Sequence, residues 1–124
     1  MDAQRFEELV AQAVEALPED ISAYLDNVDV VIEDLPTAAQ LRKSGTGRNY
    51  TLLGLYEGVP HTVRGSHYGM VIPDKITIFR KTIEAKCHGD DEIVREIGRV
   101  VRHEIAHHFG IGDARLKEIE QDKS

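Results

Sequence analysis

The sequence predicts a single α+β domain, and three observations lead to this prediction. The chain has 124 residues, a length that fits one domain built around one hydrophobic core. Towards both ends of the chain, apolar residues recur at intervals of three and four, as in amphipathic helices. Between these segments lie three short runs rich in β-branched residues and bounded by turn residues, as strands are. No repeat or linker divides the chain, so we expect one domain over residues 1–124.

The composition is that of a folded acidic protein. Hydrophobic residues make up 41% of the chain and charged residues 30%, which argues against disorder. The formal net charge of −7, without clustered Lys and Arg, argues against nucleic acid as a partner. No apolar run reaches membrane-spanning length and the N-terminus lacks a signal-peptide pattern, so we expect no membrane association. The single cysteine, Cys87, allows no internal disulfide, and we predict a cytoplasmic location.

The first half of the chain predicts a helix, a strand and a short second helix. The segment Asp2 to Leu17 has a helical apolar stripe that ends at Pro18. The β-branched run Val28 to Glu33 predicts a buried strand. One or two helical turns are expected over Thr37 to Lys43, with Thr37 as the N-cap. The glycine-rich stretch Ser44 to Gly47 lacks the spacing of a phosphate-binding loop and predicts a surface loop.

Two further strands and another helical turn are predicted before the last long helix. Tyr50 to Tyr56 predicts the second strand, and Glu57 to Pro60 has the composition of a turn. Ile76 to Arg80 alternates in the manner of a third strand, which we expect to lie exposed at the edge of the sheet. A turn of helix is expected over Thr82 to Lys86.

A long amphipathic helix comes next, and Asp90 or Asp91 is its predicted N-cap. Its buried side is formed by apolar residues at helical spacing, namely Ile93, Ile97, Val100, Val101 and Ile105. Gly98 lies inside this helix at a cost of up to about 1 kcal/mol relative to alanine, and we expect close contact with a strand to compensate.

The end of this helix carries the most informative pattern of the chain, HExxHxxGxxD over residues 103–113. His103 and His107 are four residues apart, so their imidazoles can converge on one zinc ion. Glu104 lies on the same turn and can reach a water molecule without binding the metal. Gly110 can adopt a positive φ and turn the chain back, which would bring Asp113 in as the third ligand. The pattern predicts a zinc site with Glu104 as its general base.

Each part of the pattern also has a purely structural interpretation. The two histidines could be a helix-surface pair and Gly110 an ordinary helix C-cap. Asp113 could cap a last helix over Ala114 to Gln121. These interpretations leave unexplained why a glutamate directly follows the first histidine and an acid lies three residues beyond the glycine. We therefore favour the metal site.

The segment Val101 to Leu116, with Leu53 to Pro60 and Pro73 to Arg80, resembles the small zincin-like metallopeptidases of bacteria. The resemblance implies a minimal zincin-like fold, in which a few helices pack on a short mixed β-sheet and zinc lies at the active helix. Carried over by position, His103, His107 and Asp113 would be the metal ligands and Glu104 the base.

The chain departs from the larger zincins in the residues after the motif. No methionine comes after Asp113, so the methionine turn of the metzincins is not expected to support the metal. Other zincins take a glutamate from the next helix, and Glu118 or Glu120 could serve in place of Asp113.

The expected function is zinc-dependent hydrolysis of peptide bonds in a peptide or protein substrate. The substrate could pair with the strand at Ile76 to Arg80. Four side chains are candidates to stabilise the oxyanion, namely Tyr56, His61, His67 and Tyr68. The alternative is a metal-stabilised binding module without turnover, in which His108, Glu118 or Cys87 completes a closed ligand set. Hydrolysis of RNA is disfavoured by the acidic balance.

Overall fold

The computed structural model describes residues 2–44, 52–58 and 72–122. These ranges contain six α-helices, one 3₁₀ turn and three strands. In chain order they are α1 (Ala3–Glu15), α2 (Glu19–Ser22), the 3₁₀ turn (Ala23–Leu25), β1 (Val28–Glu33), α3 (Ala38–Ser44), β2 (Gly54–Glu57), β3 (Asp74–Phe79), α4 (Arg80–Lys86), α5 (Asp90–Phe109) and α6 (Asp113–Asp122). The predicted α+β fold, with helices packed on a short mixed sheet, is confirmed.

Several predicted features lie outside the described residues. They are the loop at 45–47, the start of the second strand at 50–51, the end of the turn at 59–60, and the side chains of His61, His67 and Tyr68. Within the described ranges, no helix combines the length and apolar composition that a membrane crossing requires.

The sheet has the strand order β1-β3-β2. β1 runs parallel to β3 from the pair Val28 and Asp74 onwards, whereas β2 is antiparallel to β3 from the pair Gly54 and Ile78 onwards. The prediction that the third strand lies at an exposed edge is therefore wrong, because β3 is paired on both sides and Arg80 already belongs to α4. β1 and β2 are the edge strands of this described sheet, and β1 is half-buried, not buried as predicted.

A side-chain hydrogen bond marks the start of α1, whereas α5 begins without one. Asp2 caps α1 by accepting a hydrogen bond from the Arg5 backbone N–H at 2.8 Å. α5 begins with Gly89 as its N-cap, so the prediction of an aspartate cap is wrong. Asp90 and Asp91 lie instead in the first turn, where negative charge favours the positive end of the helix dipole.

The capping residue predicted for α3 is confirmed. Thr37 Oγ1 accepts from the backbone N–H of Gln40 at 3.1 Å, and Gln40 Oε1 accepts from the backbone N–H of Thr37 at 2.9 Å. This reciprocal pair is a capping box.

The main hydrophobic core lies where α1 and α5 cover one face of the sheet. Its fully buried side chains include Phe6, Leu9, Ile21, Ile76, Ile78, Ile83, Ile97, Val101 and Ile105. A smaller cluster on the other face contains Leu52, Leu55 and Phe79, with Leu41 of α3 packed against it. The buried side of α5 thus holds this helix rigidly against the sheet, with its last turns free to carry polar groups.

A glycine does bring a strand and α5 into close contact, but it is Gly54 on β2. A Cβ at Gly54 would lie 2.5 Å from Val100 Cγ1 and 3.1 Å from the Thr77 carbonyl oxygen. A Cβ at Gly98 would meet only the flexible guanidinium of Arg102, at 3.2 Å. The expectation that close contact with a strand offsets the cost of Gly98 within the helix is therefore wrong. β2 instead lies directly against α5, one turn before Glu104.

Candidate metal centre

The predicted ligands His103 and His107 lie one turn apart at the C-terminal end of α5, and both side chains are exposed. Ile105 and Ala106, between them in sequence, are buried in the core and fix the orientation of this turn. Two imidazoles are thus presented to solvent by a rigid helix, an arrangement suited to metal binding.

Gly110 ends α5 as the motif predicts. Its φ of 73° is in the left-handed region, and its N–H donates to the Ala106 carbonyl. The Ile111 N–H donates to the same carbonyl at 2.8 Å, so the chain turns sharply away from the helix axis. A residue with a Cβ would be strained at this φ, which explains the glycine.

Glu104 is the half-buried acid of the site. Its Oε1 accepts a hydrogen bond from the backbone N–H of Tyr56 at 2.9 Å. Burial raises the pKa of the Glu104 carboxyl, and this effect exceeds the lowering by the Tyr56 N–H and by the charges of His107 and His103. The carboxyl therefore holds a proton more readily than an exposed glutamate does.

Tyr56 makes two further contacts, one with the end of α5 and one with the start of β3. Its ring stacks on the His108 imidazole, with centroids 3.9 Å apart and planes inclined by 18°. Its hydroxyl donates to Asp74 Oδ2 at 2.5 Å. Because the hydroxyl already donates its hydrogen bond to the Asp74 carboxylate, the structure does not support Tyr56 as an oxyanion donor. His108 packs on the strand beside the site, as expected of a residue that points away from the His103 and His107 pair.

Sequence reasoning missed the role of the Tyr56 backbone. Any residue except proline has an N–H, so no residue type marks a backbone donor in a sequence. The sequence placed Tyr56 in a predicted strand, but it lies 48 residues from Glu104, and a strand prediction does not specify a contact over that separation.

The third ligand is the least defined part of the site. Within residues 2–44, 52–58 and 72–122, no three His, Cys, Asp or Glu side chains are placed together to hold a metal ion. Asp113 is the exposed first residue of α6, and its role as third ligand stays a prediction. Glu118 Oε2 lies 3.1 Å from Arg115 Nη1 and Glu120 Oε1 lies 2.8 Å from Arg102 Nε, so both alternatives are engaged in ion pairs.

Cys87 is remote from the histidines. Its thiol contacts the Glu92 carbonyl near the start of α5, and burial raises its pKa. Glu92 and Glu104 are about 18 Å apart along the helix axis at a rise of about 1.5 Å per residue. Cys87 therefore cannot complete a ligand set with His103 and His107, which weakens the closed-site alternative.

A cleft of about 210 Å³ opens beside Glu104. It is lined by Leu52, Leu53, Gly54, Arg99, Val100, His103 and Glu104. One wall is therefore the start of β2 and the segment before it, and the other is the turn of α5 that carries the first histidine and the acid. A substrate lying in this cleft would contact both.

Comparison with known proteins places this geometry in a family. The model of the family described as zincin-like metallopeptidase matches residues 25–123. A solved structure of a conserved hypothetical protein from T. thermophilus is similar, with a TM-score of 0.55 and 23% identity over 88% of this chain and 94% of that chain. At that identity the likeness shows the fold alone, and no curated protein matches the chain. Because the family model spans most of the sequence, including the helix with His103, Glu104 and His107, the chain belongs to the zincin-like metallopeptidase family.

Proposed function

We propose that the protein is a zinc-dependent peptidase that hydrolyses a peptide bond by Glu104-assisted attack of water. One observation carries the proposal. The half-buried Glu104 carboxyl, held by a strand N–H at 2.9 Å, lies on the same helical turns as two exposed imidazoles. A general base fixed next to two metal donors, beside a cleft, is the arrangement that metal-assisted hydrolysis requires.

The chemistry of the donors suits zinc. Neutral imidazole nitrogen is a favoured zinc ligand, and a catalytic zinc takes three protein ligands. We assign His103, His107 and Asp113 to this role, and the left-handed turn at Gly110 supports Asp113 because it ends the helix and redirects the chain three residues before it. A zinc ion bound there would supply a Lewis acid that acidifies water and polarises the substrate carbonyl.

Glu104 has a separate task from the ligands. The Tyr56 N–H holds Oε1, so the second carboxyl oxygen remains available to take a proton from the attacking water. The raised pKa of this carboxyl favours the later step as well, in which Glu104 donates the proton to the leaving amine. The same buried position therefore serves both proton transfers.

The substrate is a peptide or protein segment in an extended conformation. β2, and not β3 as predicted from the sequence, is the strand that borders the cleft and lies beside Glu104. We propose that the substrate lies along this strand, where backbone groups can align its carbonyl with the metal site. The net charge of −7 supports a peptide substrate over nucleic acid, and the free Cys87 thiol is consistent with a cytoplasmic location.

Activity is tested with a broad peptide library in the presence of zinc. We expect Glu104→Gln to abolish cleavage while zinc binding persists, and Glu8→Gln on the exposed face of α1 to leave cleavage unchanged. Chelation should remove the wild-type activity and zinc should restore it. Equal activity of wild type and Glu104→Gln would refute the assignment of the base.

Metal content is tested separately by elemental analysis and zinc titration. We expect one zinc per chain, lost in His107→Ala and strongly weakened in Asp113→Asn. Glu118→Gln and Glu120→Gln are the matched controls and should bind zinc as wild type does. A loss confined to one of these glutamate variants would move the third ligand to that residue. Bound zinc without cleavage of any peptide would identify a metal-stabilised binding module instead.

A further inference from the structure

The outer edge of β1 is open in the part of the chain that the structure describes. β1 pairs only with β3 among the described strands, so one side of it has no neighbour there. The Asp74 N–H donates to the Asn27 carbonyl at 3.1 Å. The backbone groups of Asn27, and of every second residue after it, therefore face β3. Because backbone groups of alternate residues point to the same edge of a strand, Val28, Val30 and Ile32 direct their N–H and C=O groups to the open side.

A groove of about 520 Å³ runs beside this edge, between β1 and α1. Its apolar lining includes Val10 and Val14 of α1 and Val30 and Ile32 of β1, and the last three are only half-buried. Free backbone donors and acceptors next to an apolar groove are the features that bind an added strand.

The charges around the groove select the partner. Glu7 and Glu15 of α1 also line it, both are exposed, and no Lys or Arg is among its lining residues. β1 itself carries the exposed Asp29 and the half-exposed Glu33, which lie outside the groove lining on the same edge strand. Two copies of this chain paired edge to edge would bring these acidic groups together, whereas a basic partner would neutralise them.

We propose that β1 binds an extended segment of another protein, rich in apolar and basic residues, which joins the sheet as a fourth strand. Glu7 and Glu15 are eight residues apart on α1, about 12 Å at a rise of about 1.5 Å per residue. A strand covers that distance in about four residues at about 3.3 Å each. The segment therefore has basic residues four apart on one face, with an apolar residue midway between them.

The probe is the peptide acetyl-TKTVTKT-amide, titrated into the ¹⁵N-labelled full chain at low salt. We expect its binding to shift the amide resonances of Val28, Val30 and Ile32 most. A peptide with Glu in place of both Lys, and one N-methylated at its central Val, should bind weakly or not at all. Binding should also weaken as salt is raised, because the rim charges are exposed.

Matched charge variants test the role of the rim. Glu7→Gln combined with Glu15→Gln should weaken the peptide about fivefold, as expected for the loss of two exposed ion pairs. Glu8→Gln combined with Glu19→Gln makes the same charge change at exposed sites outside the groove and should leave binding unchanged.

Three outcomes would overturn the proposal. They are shifts that do not centre on β1, equal binding of the acidic peptide, and self-association of the free protein in which the β1 amides become protected from hydrogen exchange. The last would assign the edge to a second copy of the chain. None of these measurements depends on hydrolysis, so they stand apart from the proposed peptidase activity.

Discussion

Replacing Gly54 with alanine should separate β2 from the helix that carries Glu104. The new Cβ would lie 2.5 Å from Val100 Cγ1, whereas carbon atoms in ordinary contact are about 3.5–4 Å apart. The Thr77 carbonyl, 3.1 Å away on the neighbouring strand, prevents an easy shift in the other direction. β2 must therefore move by about 1 Å, an overpacking that costs about 1–3 kcal/mol of unfolding free energy.

The same shift would damage the contact with the acid. The Tyr56 N–H donates to Glu104 Oε1 at 2.9 Å, and an added displacement of about 1 Å would exceed hydrogen-bond length. Losing a hydrogen bond to a charged group adds about 1.5–3 kcal/mol. Gly54→Ala should therefore destabilise the protein by about 2.5–6 kcal/mol in total.

A double-mutant cycle with Val100→Ala, measured by urea unfolding, tests this reasoning. Val100→Ala alone should cost about 2 kcal/mol because it removes two buried methyl groups. In the Gly54→Ala background it also removes the clashing atom, so its cost should fall by about 1–2 kcal/mol. Gly98→Ala is the control and should be neutral or stabilising, since its Cβ meets only a flexible side chain. Additive effects of Gly54→Ala and Val100→Ala would refute the proposed contact.

Three further substitutions test other parts of the structure by urea unfolding. In the metal-free protein, Glu104→Gln should raise the unfolding free energy at neutral pH, because burial raises the pKa of the native carboxyl above its value of 4.5 in the unfolded chain. Wild-type stability then falls as pH rises from about 4.5 through the native pKa, and the variant should lack this fall. If the difference in unfolding free energy between wild type and variant did not change with pH, the raised pKa of Glu104 would be contradicted. Gly110→Ala should cost about 1–2 kcal/mol because of the positive φ of this residue, and Gly110→Asn clearly less. Equal costs of the two substitutions would contradict backbone strain as the cause. Thr37→Ala should cost about 1 kcal/mol and Thr37→Ser much less, because serine keeps the hydroxyl that accepts from the Gln40 N–H. Equal costs of these two substitutions would contradict the role of the capping box.

The longer helices and several of their local signals could be predicted from the sequence, whereas α2 and the Gly89 cap of α5 were not. The apolar periodicity of α1 and α5, the Thr37 cap and the Gly110 turn all depend on residues within a few positions of one another. Such short-range effects act the same way in most contexts. The spacing of His103, Glu104 and His107 is also local, since α5 alone places the two histidines one turn apart with the glutamate between them in sequence.

The arrangement of the sheet could not be predicted in the same way. β3 was expected at an edge, but it is central because β1 and β2, distant in sequence, pair with its two sides. Alternating apolar residues show that a segment is a strand and do not show which strands flank it. The same limit explains why close contact with a strand is expected at Gly98 but occurs at Gly54, since it depends on where β2 meets α5.

Two faces of α5 have different roles, since one packs on β2 and the other carries the exposed histidines. Val100, Glu104 and His108 form one row of α5, spaced by four residues, and they contact Gly54, Tyr56 and Gly58 respectively.

Four helical residues advance by about 6 Å and two strand residues by about 6.6 Å, so strand and helix stay in step over this contact. The histidines at 103 and 107 each precede a member of that row by one position and are turned by about 100° from it. Packing on the strand therefore holds and desolvates the acid without covering the two imidazoles. A third metal ligand would have to approach from the side that the strand leaves uncovered, and Asp113, three residues beyond the turn at Gly110, is the first residue to test.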